Sequence, residues 1–218
     1  MSPRQILLPL IRRSPLLARV AALRALARDS ELHDSGWFRS RASGLPVDAQ
    51  GAPLPWYTYA AIHFLAGRLD ARWSVFEYGS GNSTLWWAAR VARVVSCEHD
   101  FAWHARLRPQ LPAQVDYRRI ALEPSAQYAG CVAEFPGQFE VVVLDGRERV
   151  ACSRHAPAGL APGGVIIWDN SERDEYRPGC AGLAAAGFRR LDFRGLGPIN
   201  TYGWCTSVFY RPDNVLGI

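Results

Sequence analysis

From Ser74 to Tyr210 the chain repeats one unit: a short apolar run, then a glycine or an acidic residue, then a stretch with helical spacing. Ser74–Tyr78 stops at Gly79, Val94–Cys97 at Glu98, Phe139–Leu144 at Asp145 and Val165–Trp168 at Asp169-Asn170. Runs this short, rich in β-branched residues and without polar alternation, read as strands buried on both faces. Between them, Thr84–Val91, Phe101–Leu111, Glu148–Leu160 and Arg177–Gly187 read as helices, and Trp56–Leu69 reads as a helix leading in. A weaker strand is expected over Val115–Leu122, and two closing strands over Phe188–Phe193 and Thr206–Tyr210. This alternation, with short connections, implies an α/β domain: a parallel sheet with helices on both faces. Upstream, residues 3–28 read as helix interrupted near Pro9 and Pro15, and residues 29–55 as loop. The expected division is a basic helical arm and loop over 1–55 and the sheet-bearing domain over 56–218.

Composition narrows the chemistry. The 218 residues suit one core with a small appendage. All 25 basic residues are arginines. Without lysine there is no Schiff base, no P-loop phosphate lysine and no lysine base. Residues 1–30 hold six arginines and one acid, so they carry the whole net charge of +5. The rest of the chain is neutral, and no nucleic-acid partner is expected. The arm is expected to pack on the domain or on a second copy in a homodimer; a membrane-surface helix is the alternative. The cysteines Cys97, Cys131, Cys152, Cys180 and Cys205 are odd in number and widely spaced. That fits neither a disulfide framework nor a zinc site, and points to a reducing, cytoplasmic setting. No stretch is apolar for long enough to suggest a transmembrane segment.

The first candidate site is Glu77-Tyr78-Gly79-Ser80-Gly81-Asn82-Ser83-Thr84, where a strand turns into a helix. Glycines there let a ligand approach the backbone, and the helix start offers unpaired N–H groups. Glu98 ends the next strand, 21 residues after Glu77. An acid at that position is placed to accept hydrogen bonds from both hydroxyls of a ribose. The two features together indicate a nucleoside-containing cofactor. A dinucleotide site would want glycine or alanine where Thr84 stands, which disfavours a nicotinamide oxidoreductase.

These features, with Val143-Leu144-Asp145-Gly146, Pro162-Gly163-Gly164 before a strand and the closing hairpin, resemble the class I S-adenosylmethionine-dependent methyltransferases over about residues 56–212. The resemblance implies a Rossmann-like, mostly parallel seven-stranded sheet of order 3-2-1-4-5-7-6. It implies S-adenosylmethionine as cofactor, held by Glu77, Gly79, Ser80, Gly81, Asn82, Ser83, Glu98, His99 and Asp145, with the loop after Ile120 beside the adenine.

A second constellation joins Asp145 to Asp169 and Asn170, at adjacent strand ends that open into one crevice. Two carboxylates and a carboxamide suit Mg²⁺. The arrangement resembles the catechol and caffeoyl-CoA O-methyltransferases, which implies Asp145, Asp169 and Asn170 as metal ligands and Asp145 and Asp169 as catalytic. The glycine turn is shorter than in those families, and Glu148 stands where they carry a lysine. The acceptor's proton then has three routes: a metal, a carboxylate such as Glu148 or Asp169, or prior ionisation. Trp37, Trp56, Tyr57, Tyr59 and Trp204 are candidates for the acceptor wall, and residues 29–55 and 171–180 for lids. His63 reads as a core residue and His155 as surface or packing. The expected function is methyl transfer to a small molecule, at oxygen and with Mg²⁺ assistance. The alternatives are a metal-free methyltransferase and a non-catalytic nucleoside-binding or scaffold domain.

Overall fold

A computed structural model describes residues 14–218. Seven strands form one sheet: β1 (Ser74–Tyr78), β2 (Arg93–Glu98), β3 (Val115–Arg119), β4 (Phe139–Leu144), β5 (Leu160–Asp169), β6 (Arg189–Gly195) and β7 (Trp204–Tyr210). Their order is β3-β2-β1-β4-β5-β7-β6, as the resemblance implied. Only β7 runs against its neighbours, pairing antiparallel with both β5 and β6.

Period-2 alternation splits the central strands between two cores. Phe76, Tyr78, Val142, Leu144, Ile166 and Trp168 face one side. There they pack under helices Ser125–Gly130, Arg149–Gly159 and Arg177–Ala185. Val75, Val141, Val143, Val165 and Ile167 face the other, under helices Tyr59–Ala66 and Asn82–Ala88. Both faces are therefore covered, which is why these runs carry so little polar alternation.

Several boundaries move. The helix expected over Trp56–Leu69 is confined to Tyr59–Ala66, with Thr58 as its N-cap residue. The helix expected over Phe101–Leu111 ends at Leu107 and tightens into a 3-10 turn over Arg108–Gln110. Pro162-Gly163-Gly164 is not a turn before β5 but lies inside it, at a register shift against β4. Helix Ser125–Gly130 was not anticipated: its six residues lack an amphipathic period long enough to read.

Residues 29–55 are not simply loop. They hold short helices Glu31–Asp34 and Trp37–Ser43 and a bridge from Val47 to Pro53. This stretch docks on the sheet domain: the Trp37 indole donates to the Asn200 carbonyl at 2.8 Å, and the Asn82 amide to the Pro46 carbonyl at 2.7 Å. The helical arm expected over 3–28 lies partly outside the described residues. Its described part is a helix, Pro15–Arg28, capped by Ser14 and carrying no buried residue. No described helix is long and apolar enough to cross a membrane.

Candidate functional site

A cavity of about 610 Å³ opens at the carboxyl ends of β1, β2, β4 and β5. It spans the point where the strand order reverses between β1 and β4, the usual ligand crevice of an open α/β sheet. All the predicted cofactor residues line it except Glu77. Asp169 and Asn170 line it as well.

The glycine turn divides into two roles. Gly79 has φ +82°, and a Cβ there would sit 2.7 Å from the Gly146 Cα. The turn after β1 thus packs backbone to backbone on the turn after β4. Gly81 is different: its φ of 175° is ordinary extended backbone, and nothing lies within 4 Å of where its Cβ would be. The fold does not need glycine at that position. The open cradle in front of Gly81 fits a ligand lying against the backbone.

Glu98 is nearly buried, and its carboxylate is held in a fixed orientation. One oxygen accepts from the His99 and Asp100 backbone N–H groups, both at 2.8 Å. The other accepts from the Ser80 hydroxyl at 2.9 Å, and that hydroxyl also lies 2.9 Å from the Tyr117 hydroxyl. Ser80 keeps a partner in Tyr117 if a ribose hydroxyl takes its place on Glu98. Trp103, unnoticed in the sequence, closes this end and donates its indole N–H to the Ser80 carbonyl at 2.8 Å. The loop after Ile120 does not line the cavity.

Glu77 departs from its expected role. It points away from the cavity and is fully buried. One oxygen accepts from the Thr84 hydroxyl at 2.5 Å and the Ser96 hydroxyl at 3.0 Å. Burial raises its pKa to about 7, with the Thr84 and Ser96 hydrogen bonds opposing. Through Thr84, whose hydroxyl oxygen also accepts from the Gly81 N–H at 3.0 Å, Glu77 props the turn from below.

Asp145, Asp169 and Asn170 do converge, but around a guanidinium. The Arg149 side chain is buried and uses every N–H it has. Its Nε donates to the Gly146 carbonyl at 3.0 Å. Nη1 donates to the Asp169 carbonyl and, at 3.3 Å, to Asn170 Oδ1. Nη2 donates to the Asp145 carbonyl at 3.0 Å and to Asp145 Oδ1 at 2.9 Å. Five donors meet five acceptors. Asn170 adopts a left-handed φ of 54°, which asparagine tolerates, at the turn that presents its carboxamide. Asp169 Oδ1 is likewise engaged, by the Thr206 hydroxyl at 2.6 Å and the Trp204 indole at 2.9 Å.

This donor set fits Mg²⁺ poorly: a fixed guanidinium already stands among its oxygens and draws on Asp145 Oδ1 and Asn170 Oδ1, while Asp145 Oδ2 and Asp169 Oδ2 have no partner among the described residues. No group of three or more His, Cys, Asp and Glu residues able to hold a metal ion occurs among the described residues. The geometry lends the expected metal centre no support.

The other Asp169 oxygen has no hydrogen-bond partner among the described residues, and Asp169 lines the cavity. Burial raises the Asp169 pKa, and the nearby Asp145 charge adds to the effect. Glu148 is exposed and outside the cavity, so it is not placed to take a proton there. Of the aromatic candidates, Trp56 and Trp204 line the cavity; Tyr57 and Tyr59 are buried in the core, and Trp37 lies outside the lining. Of the two expected lids, the first contributes Gly44, Leu45 and Pro46 and the second Arg173; Asn200 and Tyr202, missed in the sequence, complete the wall.

No protein-family model matches the chain, and no curated protein matches its sequence. Solved structures do match its fold. A methyltransferase from Geobacter sulfurreducens superposes with TM-score 0.52 at 17% identity, covering 89% of this chain and 96% of that one. A putative O-methyltransferase from Klebsiella pneumoniae gives 0.51 at 18%, covering 88% and 94%. Spermidine synthase from Thermotoga maritima gives 0.51 at 13%, covering 66% and 56%. The chain has the Rossmann-like methyltransferase fold, and that fold also carries a synthase, so the reaction is argued from the site.

Proposed function

We propose that this chain is an S-adenosylmethionine-dependent methyltransferase acting on a hydroxyl group of a small molecule, without a metal ion. The observation that carries the reading is the open space at Gly81 together with the oriented Glu98 carboxylate: a glycine the fold does not require, and an acid fixed at the wall of the same cavity. S-adenosylmethionine bound there supplies a methyl group activated on a sulfonium.

The protein's own work is positional and electrostatic. Glu98 and the N–H groups of the turn hold the nucleoside end, and Asp145 edges the part that continues toward β4. The acceptor then lies between the ends of β4 and β5, under the wall made by residues 44–46 and 200–204. Asp169 takes the acceptor's proton on its free oxygen, while Thr206 and Trp204 fix the other. Burial makes Asp169 a stronger base than an exposed carboxylate, which suits general-base work near neutral pH.

The reading is tested by calorimetry with S-adenosylhomocysteine on the wild type and on Glu98→Ala. Charge-assisted hydrogen bonds contribute about 1.5–3 kcal/mol, so the variant should bind about ten- to a hundredfold more weakly. Equal affinity in the two proteins would remove Glu98 from the site. Binding with no release of S-adenosylhomocysteine across a broad acceptor screen would favour a non-catalytic nucleoside-binding domain.

A further inference from the structure

The two halves of the cavity carry opposite fixed charge. On the nucleoside side the charge is the Glu98 carboxylate. On the acceptor side three arginines, Arg147, Arg149 and Arg173, share the wall with two carboxylates, Asp145 and Asp169, which leaves one positive charge in excess. Arg149 is not free to bind anything further, since its five N–H groups are spent on the strand ends and its charge is matched by Asp145.

Arg147 and Arg173 have no such obligations. Arg147 engages its described neighbours through its backbone, the carbonyl accepting from the Cys152 thiol at 3.5 Å, and its side chain has no partner among the described residues. Arg173 has one loose ion pair, 3.9 Å from a solvent-exposed Glu175, and lies 6.0 Å from the centre of the Tyr176 ring. Its charge is nevertheless felt inside, where it opposes the rise in the Asp145 pKa. Beside these groups, Trp56 and Tyr202 leave 42% and 65% of their surface exposed while lining the cavity. Exposed rings next to guanidinium groups without close partners suit a planar anion: the ring stacks, and the fork-shaped donors meet a carboxylate in two-point fashion.

We propose that Arg147 and Arg173 form an anion subsite, and that the acceptor is a planar compound carrying a carboxylate in addition to the hydroxyl that is methylated. The inference rests on the methyltransferase reading. Its rival is that these arginines hold the carboxylate of the cofactor's own methionine moiety.

The test uses the full chain saturated with S-adenosylhomocysteine and two isosteric probe pairs, 4-hydroxybenzoate with 4-hydroxybenzamide and 4-hydroxycinnamate with 4-hydroxycinnamamide. At least one acid should bind about tenfold or more tightly than its amide by calorimetry, the span expected for a charge-assisted contact. Arg147→Gln combined with Arg173→Gln should abolish that preference and leave S-adenosylhomocysteine affinity within about twofold. No preference for the acid in either pair overturns the subsite. So does a preference that survives both substitutions, or a loss of S-adenosylhomocysteine affinity in the double variant, which assigns the arginines to the cofactor. Failure of the wild type to bind S-adenosylhomocysteine at all is a separate result and counts against the methyltransferase reading instead.

Discussion

Removing the Arg149 guanidinium separates a built-in cation from a metal shell. Arg149→Met keeps an unbranched apolar stem and deletes five hydrogen bonds at once. It leaves the Asp145 carboxylate without its partner, and three backbone carbonyls facing one another at the ends of β4 and β5. Breaking a buried ion pair from one side costs about 3–5 kcal/mol. That is a large share of the roughly 5–15 kcal/mol by which a domain is stable. At about 2–4 °C per kcal/mol for a domain of this size, the melting temperature should fall by roughly 6–20 °C. Arg149→Lys keeps the charge but offers three donors from one point to acceptors spread over two strand ends, and should lose about half as much. Thermal unfolding followed by circular dichroism reads both. A drop below about 3 °C in the methionine variant would show that the tie contributes little. The same scan run in excess Mg²⁺ and in chelator should leave the wild type unmoved, because a ligand that binds the native state raises its stability by mass action. A wild-type melting point that rises with Mg²⁺ would refute the argument that guanidinium and metal exclude each other.

Other outcomes follow from the same geometry. Glu77 holds its proton more tightly folded than unfolded, so its contribution is full below pH 4.5 and lost as pH rises to about 7; Glu77→Gln should flatten that fall, on the order of 3 kcal/mol, in urea titrations across the window. Gly81→Ala should leave the unfolding midpoint within about 0.5 kcal/mol of wild type yet weaken S-adenosylhomocysteine, whereas Gly79→Ala should destabilise by about 2 kcal/mol or more, since φ is +82° and Gly146 is in the way; the reverse order would mean that the cradle is misassigned. Asp169→Asn should cut turnover about a hundredfold or more with S-adenosylhomocysteine affinity unchanged, and an undiminished rate would take the base role from Asp169.

Glu98 and the Gly79–Gly81 turn were legible because each sits where a strand ends, and strand ends are marked by a change of residue type along the chain. Arg149 shows the opposite case. In sequence it is one of three charged residues in a row, Arg147-Glu148-Arg149, with nothing to distinguish it. Its helix turns it inward while Arg147 and Glu148 stay exposed. That single rotation places a cation among three residues that otherwise read as a metal shell. Glu77 was misjudged for a related reason. Its position beside the glycines suggested the ligand, but strand alternation sends it to the face away from the cavity, beneath helix Asn82–Ala88.

The amino-acid sequence alone determined the sheet, its covered faces and the edge at which the chemistry gathers. Those properties depend on runs of five to ten residues, and parallel strands necessarily bring their carboxyl ends to one side. Tertiary structure alone decided which acids are open and which are spoken for. Asp169 is fixed by Trp204 and Thr206, 35 and 37 residues downstream, through a strand that runs against β5. The cavity wall at Pro46 is held by Asn82, 36 residues away. Partners that far apart are chosen by packing geometry, and no local pattern of residue types encodes the direction in which a buried side chain points.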